Sequence, residues 1–206
     1  MEYLQGVGPH FIDHPDWIAL EDAIADTYRM QHSAAFFTIC SHAKPYSKSA
    51  IHDRIREALY NADVLDRVDY IHISSAGIIP AEAEMWATHY DWNNACIDID
   101  DELTYLLLRR RIQERLSRFL YRFPYGRCFF YLRPESNTWH AVKARLDQST
   151  LTPSFQNVFI AEPVSSPTKR SWRLHDDPDD VLVEPTTLHM MTSLLVSALL
   201  GGVNDQ

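Results

Sequence analysis

No run of about 18 apolar residues occurs in this chain, so no membrane-spanning helix is expected. Met1–His10 has neither a basic start nor an apolar stretch, and no secretory leader is expected there. Cysteine is scarce. Cys40, Cys96 and Cys128 are odd in number and lack the paired spacing of a metal site, which points to a reduced, cytoplasmic setting. Basic residues are outnumbered, 19 Lys and Arg against 28 Asp and Glu, for a formal net charge of −9. So acidic a chain is not expected to grip nucleic acid over a broad surface, because neutralising phosphates takes Lys and Arg; a local basic patch stays open. Repeats and low-complexity tracts are also missing.

What is present suffices for a core. Apolar residues make up 46% of 206 residues, a length that suits a single domain over 1–206. Asp13 or Asp16 is placed to cap a helix over 16–30, with Trp17, Leu20, Ile24 and Tyr28 on its apolar side. His10 and His14 lie four apart, but Pro9 and Pro15 bracket them, so an entry segment is favoured over a metal-binding helix face. Strands are expected over 34–40, 68–74, 127–132 and 155–161, and helices over 50–62, 101–122, 136–146 and 185–200. Residues 75–100 read as a long loop, at least part of it irregular, of the kind that usually carries function. In the helix over 101–122, Leu103, Leu106, Leu107, Ile112, Leu116, Phe119 and Leu120 form the apolar stripe. Its arginines (109, 110, 111, 115, 118 and 122) read as a solvated face rather than a phosphate patch. This alternation predicts a three-layer α/β domain: a mainly parallel four-stranded sheet with helices on both faces.

The stretch most suggestive of chemistry is Ala34–Glu57, a short apolar run, a polar loop and a helix start. Open α/β sheets bind ligands at such strand ends, beside helix N-termini. Cys40 closes the apolar run. A nearby helix N-terminus and Lys44 both favour its thiolate, the reactive form; a buried core thiol is the alternative. Lys44 can hold an anion, Tyr46 can stack on a flat base, and His52 can carry a proton or serve as a structural histidine. Ser49 most simply caps the following helix by accepting from the amide of His52 or its neighbour.

The spacing Cys40, Lys44-Pro45-Tyr46, Ser49, His52 resembles the signature of archaeosine synthase and its tRNA-guanine-transglycosylase-like relatives in 7-deazaguanine metabolism. That family has Pro where Ile39 stands here. A second stretch, residues 74–91, resembles another family segment through Ser74, Gly77, Pro80, Glu82, Glu84, His89, Tyr90 and Asp91, with Ser75, Ala76 and Ala81 departing from it. The likeness covers about residues 34–140. It implies a fold like uracil-DNA glycosylase and a transferase acting on a 7-cyano-7-deazaguanine base in tRNA or, by extension, DNA. An amine such as lysine adds to the nitrile, and a radical-SAM partner then cleaves the adduct to leave an amidine; an RNA-binding partner is a further possibility for a chain that carries the core alone. On this reading Cys40 and His52 are catalytic, and Lys44, Tyr46, Ser49, Ser74, Gly77, Glu82, Glu84 and Asp91 bind substrate, with no metal or cofactor on this chain. Two other readings stay open: a non-catalytic binding or scaffold module, and a glycosylase-like hydrolase.

Overall fold

The computed structural model describes residues 4–6, 12–41, 43–87, 90–92, 102–134, 136–147, 158–160 and 178–200. In chain order the elements are β1 (Leu4–Gly6), α1 (Pro15–Thr27), β2 (Ala34–Ile39), α2 (Ala50–Asn61), β3 (Asp69–Ile73), β4 (Ile78–Pro80), β5 (Tyr90–Trp92), α3 (Glu102–Arg122), β6 (Arg127–Tyr131), α4 (Asn137–Asp147), β7 (Val158–Ile160) and α5 (Pro185–Leu200). Short 3-10 turns occupy 46–48, 65–67, 81–87 and 178–183.

One sheet has five strands in the order β4-β3-β2-β6-β7. Four of them, β3, β2, β6 and β7, run parallel, and β4 at one edge pairs antiparallel with β3. The four-stranded sheet expected from the sequence is therefore widened by an edge strand within the stretch read as irregular. The cause is a tight turn. Ser74 N donates to Gly77 O at 2.9 Å, Gly77 N donates back at 3.2 Å, and Ser74 Oγ accepts from Ala76 N at 3.1 Å, which folds the chain back on β3. A separate parallel pair joins β1 to β5.

Side chains of β2 alternate between two covered faces. Phe36 packs toward Tyr70 and Tyr131 on the α2 side. Phe37 stacks on Phe130, with centroids 4.8 Å apart, and meets Phe119 of α3 edge-on. Among the described residues α2 contacts α5 and the 178–183 turn, while α3 contacts α4. Helices thus cover both faces, and β2 reads as a continuous buried run because neither of its faces meets water.

Two helices differ from expectation in detail. α1 is capped not by an aspartate but by His14, whose Nδ1 accepts from Asp16 N at 3.3 Å; His10 lies outside the described residues. In α3 the buried stripe runs through Thr104, Leu108, Ile112, Leu116, Phe119 and Leu120, while Leu103 and Leu106 are exposed. Its arginines are mostly engaged within the chain: Arg111 with Asp13 and Glu114, Arg110 with Glu114, Arg118 with Glu21, Arg109 with Asn137. Arg115 is buried. It donates to Ser75 O and, at 2.9 Å, to Ile12 O, and it pairs with Glu21 at 2.8 Å. The solvated-face reading fails for Arg115, which ties α3 to the turn after β3 and to the entry of α1.

No helix among the described residues is long and apolar enough to cross a membrane.

Candidate functional site at the sheet's carboxyl end

Strand order decides where an open parallel sheet binds its ligand. From β2 the chain passes to β3 on one side, and it later returns to place β6 on the other. The crevice outside the carboxyl ends of β2 and β6 is therefore the topological switch point, the preferred ligand position in such sheets. A cavity of about 120 Å³ lies there. Cys40, the residue after β2, lines it with Ser75 from the turn after β3 and Arg133 from just beyond β6. Ser136, Asn137 and Thr138 at the start of α4 and Asp179 of the 178–183 turn complete its polar wall, and Ile39, Leu108 and Ile112 its apolar one.

Local structure explains the placement. Ser136 caps α4: its Oγ accepts from Trp139 N at 3.1 Å, and its carbonyl accepts from His140 N at 3.0 Å. Arg133 Nε donates to Asp179 Oδ1 at 2.7 Å, and both side chains are only about a quarter exposed. Cys40 is half-buried, whereas Cys128 is wholly buried and its thiol is pushed up to about 12 by desolvation. Of the two described thiols, only Cys40 sits where a nucleophile can meet a ligand. Cys96 lies outside the described residues.

The other sequence candidates sit elsewhere. Tyr46 and His52 are completely buried. With Tyr70 and His72 they form a cluster on the α2 face of the sheet, in which Tyr46 lies 4.2 Å from His72 and His52 lies 4.6 Å from it, centroid to centroid. His52 Nδ1 hydrogen-bonds the Tyr70 hydroxyl at 3.0 Å. His52 Nε2 and both ring nitrogens of His72 have no hydrogen-bond partner among the described residues. Burial, reinforced by the nearby Arg56 charge, lowers His52 to about 4. Burial also holds His72 well below the usual histidine range, with His52 and Arg56 adding to the effect. Tyr46 is thus enclosed rather than free to stack on a base, and His52 is a neutral core side chain that does not line the Cys40 cavity. Their spacing is explained by anchoring: the two rings hold the 41–49 loop against β3.

Lys44 donates to Ser41 O at 3.3 Å and sits 5.8 Å from the Tyr46 ring; its peptide bond to Pro45 is cis. Ser49 occupies the N-cap of α2 as expected, but its side chain makes no capping bond, and only its carbonyl engages, accepting from Asp53 N at 2.9 Å. Ser74 and Gly77 build the β3–β4 turn, where a methyl group on Gly77 would meet open space. Glu84 accepts from Ser47 N at 2.9 Å, so the two motif-bearing segments do touch. Glu82 is exposed, and β4, running back along β3, carries it away from the Cys40 cavity. Asp91 belongs to β5, opposite Gln5; its side chain, like the whole of His89, lies outside the described residues.

The cavity thus joins Cys40 to residues that sequence reading missed, namely Arg133, Asp179, Ser75 and the first residues of α4. Arg133 had a usable signal, its place just past a strand's carboxyl end. Asp179 had none. A larger cleft of about 290 Å³ between α1 and α3, lined by Ile24, Phe119, Phe123 and Arg122 among others, has no cysteine in its lining. Among the described residues no three His, Cys, Asp or Glu side chains converge to hold a metal ion.

A family model described as DUF5591, a domain of unknown function, matches residues 19–161. The chain belongs to this family. The matched span includes Cys40, Arg133 and the start of α4 but not Asp179. No curated protein matches the DUF5591 chain. A solved structure, "Crystal structure of AF0587, a protein of unknown function", matches 85% of this chain with a TM-score of 0.56 at 13% identity. At that identity the likeness shows the fold alone. The DUF5591 chain spans about half of that protein, 49% of its length.

Proposed function

We propose that this DUF5591 chain modifies a 7-deazaguanine base in nucleic acid, tRNA before DNA, by directing an amine such as lysine onto the base's nitrile. The observation that carries the reading is Cys40, which heads the archaeosine-synthase-like spacing and lines a polar cavity at the sheet's switch point. The finer likeness to uracil-DNA-glycosylase folds and the cytoplasmic setting belong to the same proposal, on the strength of the resemblance.

The chemistry balances without an oxidant. The Cys40 sulfur adds to the nitrile carbon as the nitrile nitrogen takes up a proton, giving a thioimidate. The free amine then attacks the same carbon. The carbon–sulfur bond breaks, the thiol is regenerated, and an amidine linked to the amine remains. His52 takes no direct part in this version; with Tyr46 it positions the loop. Engagement of the α3 arginines within the chain leaves them poorly placed to grip a phosphate backbone, which supports recruitment of the nucleic acid by an RNA-binding partner. A radical-SAM partner would act on the adduct, as the resemblance implies.

The test supplies purified protein with free lysine and tRNA or DNA bearing 7-cyano-7-deazaguanine, in cell extract, and reads nucleosides by mass spectrometry. The expected product is a base heavier by one lysine. Cys40→Ser is expected to slow its formation on the order of a hundredfold or more, with the melting temperature nearly unchanged. No mass gain on either nucleic acid turns the proposal to a non-catalytic module of a modification complex. The glycosylase-like reading has only fold analogy behind it.

A further inference from the structure

The cleft between α1 and α3 is built to stay open. Phe119 and Phe123 line it with ring centroids 4.8 Å apart, and buried Tyr28 packs against them from the core side at 6.2 and 5.0 Å. Rings braced from behind have no room to turn into the space, and Ala25 on α1 is too small to fill it. A cavity of about 150 Å³ takes one benzene ring. The 290 Å³ of this cleft therefore takes a tyrosine side chain with room to spare.

Its mouth carries side chains that the chain itself leaves unanswered. Tyr121 is 91% exposed at the rim, and Ile18 is 62% exposed, one turn before Asp22 on the same face of α1. Asp22 and Arg122 line the cleft from opposite helices, and neither makes an ion pair among the described residues. Arg122 makes one hydrogen bond there, to Ala25 O at a long 3.4 Å. Their neighbours are matched within the chain: Glu21 pairs with Arg115 at 2.8 Å and with Arg118 at 2.7 Å. The face thus shows a free acid on α1, a free base on α3 and an apolar hollow between them.

Helix direction decides what fits such a face. Glu21 lies opposite Arg118 and Ala25 opposite Arg122, so α1 and α3 run side by side in the same direction. A two-fold axis along them sets α1 of one copy against α3 of another, and each Asp22 then meets the Arg122 of the other copy. The two residues are offset along the helices by about three residues, ~4.5 Å, which an arginine side chain spans.

We infer that this face binds a second copy of the chain. Tyr121 of each copy enters the cleft of the other, and two reciprocal Asp22–Arg122 pairs close over it. Exposed ion pairs contribute little each, so the dimer is weak, with a Kd on the order of 10–100 μM. Ile112, in the wall of the Cys40 cavity, lies about ten residues and ~15 Å back along α3 from Arg122, so pairing leaves that cavity open. The inference stands apart from the proposed chemistry.

Sedimentation velocity of the full chain from about 1 μM to 1 mM tests it. The unaltered protein is expected to pass from monomer to dimer in that range. Asp22→Arg and Arg122→Asp are each expected to weaken self-association at least about tenfold, because like charges then meet at both contacts. An equimolar mixture of the two variants is expected to pair again, since both contacts of the mixed dimer join opposite charges. Tyr121→Ser, which alters no charge, is expected to weaken pairing as well, and it carries the test if a charge reversal fails to fold. A monomer at every concentration, growth beyond the dimer, a dimer that none of the three variants weakens, or folded variants that stay apart when mixed overturns the inference.

Discussion

Replacing Asp69 with alanine is expected to destabilise the protein by about 3–5 kcal/mol, the range for breaking a buried charged network by removing one partner. Asp69, at the start of β3, is almost wholly buried. Its Oδ2 accepts from the hydroxyls of Tyr28 and Tyr125, both at 2.7 Å. The amides of Gln31 and His32 donate to the same carboxylate at 3.1 Å, and the His32 ring lies 2.8 Å from Oδ1. Burial first, and the Asp69 contact after it, pushes Tyr28 up, and burial does the same to Tyr125, so both hydroxyls stay protonated and act as donors. The Tyr28 and Tyr125 hydroxyls lie 2.5 Å apart, so one can turn to the other, but alanine leaves the second hydroxyl and the two amides without this acceptor, and each orphaned buried donor costs about 1–3 kcal/mol. Against a total stability of roughly 5–15 kcal/mol, urea unfolding of Asp69→Ala should begin near zero denaturant. Asp69→Asn keeps the shape and one acceptor and should fall between. A midpoint for Asp69→Ala within the scatter of wild type would show that the network contributes nothing.

Acid should unfold this protein through the two buried histidines. An unfolded histidine takes its proton near 6.5, whereas folded His52 takes it near 4. Between those values the unfolded chain binds the extra proton, so stability falls as pH drops through that window and levels off below it. The loss from His52 alone is up to about 3 kcal/mol, and His72, also held well below the usual histidine range by burial, adds to it. The groups facing the pair are Tyr46 from the loop, Tyr70 from β3 and Arg56 from α2, whose guanidinium lies 4.6 Å from the Tyr70 ring centroid. None is a carboxylate that could welcome the new charge. Glu84 bears on this region only through Tyr70. The check is the urea midpoint at several pH values from 7.5 to 4.5, for wild type and for His72→Leu. The variant should show the shallower slope. Identical slopes would place the acid sensitivity elsewhere.

Periodicity made most of the scaffold readable because the elements concerned are long and amphipathic or continuously apolar. β2 and α2 sit within a residue or so of their expected bounds, and α5 spans the expected 185–200. β4 escaped for a physical reason: three residues ending in Pro80 are too short to alternate, and proline argues against a strand unless it lies at an edge, where β4 does lie. Arg115 looked like its neighbours because a helix surface shows no local sign of which arginine a distant carbonyl will capture. The site divides in the same way. Cys40 was legible because a strand end followed by a polar loop is a local pattern. Tyr46 and His52 were legible as fixed points but not as buried ones, since the ring that encloses them, His72, arrives from the next strand. The Arg133–Asp179 pair is a contact between distant segments, and nothing near Asp179 announces it.

The position of β2 also bears on how the chain is assembled during synthesis. Phe37 pairs across the sheet with Ile71 on one side and with Phe130 on the other. The second partner is nearly three times farther along the chain, which adds about 1 kcal/mol of closure entropy and a delay on the ribosome while α3 is made. In that interval the unit from Ala34 to Pro80 can close its hairpin and pack α2, yet the open side of β2 presents Ala-Ala-Phe-Phe-Thr-Ile with unpaired backbone groups. The nascent chain is most prone to stick to its neighbours in that window, and the arrival of Arg127–Tyr131 is the event that ends it.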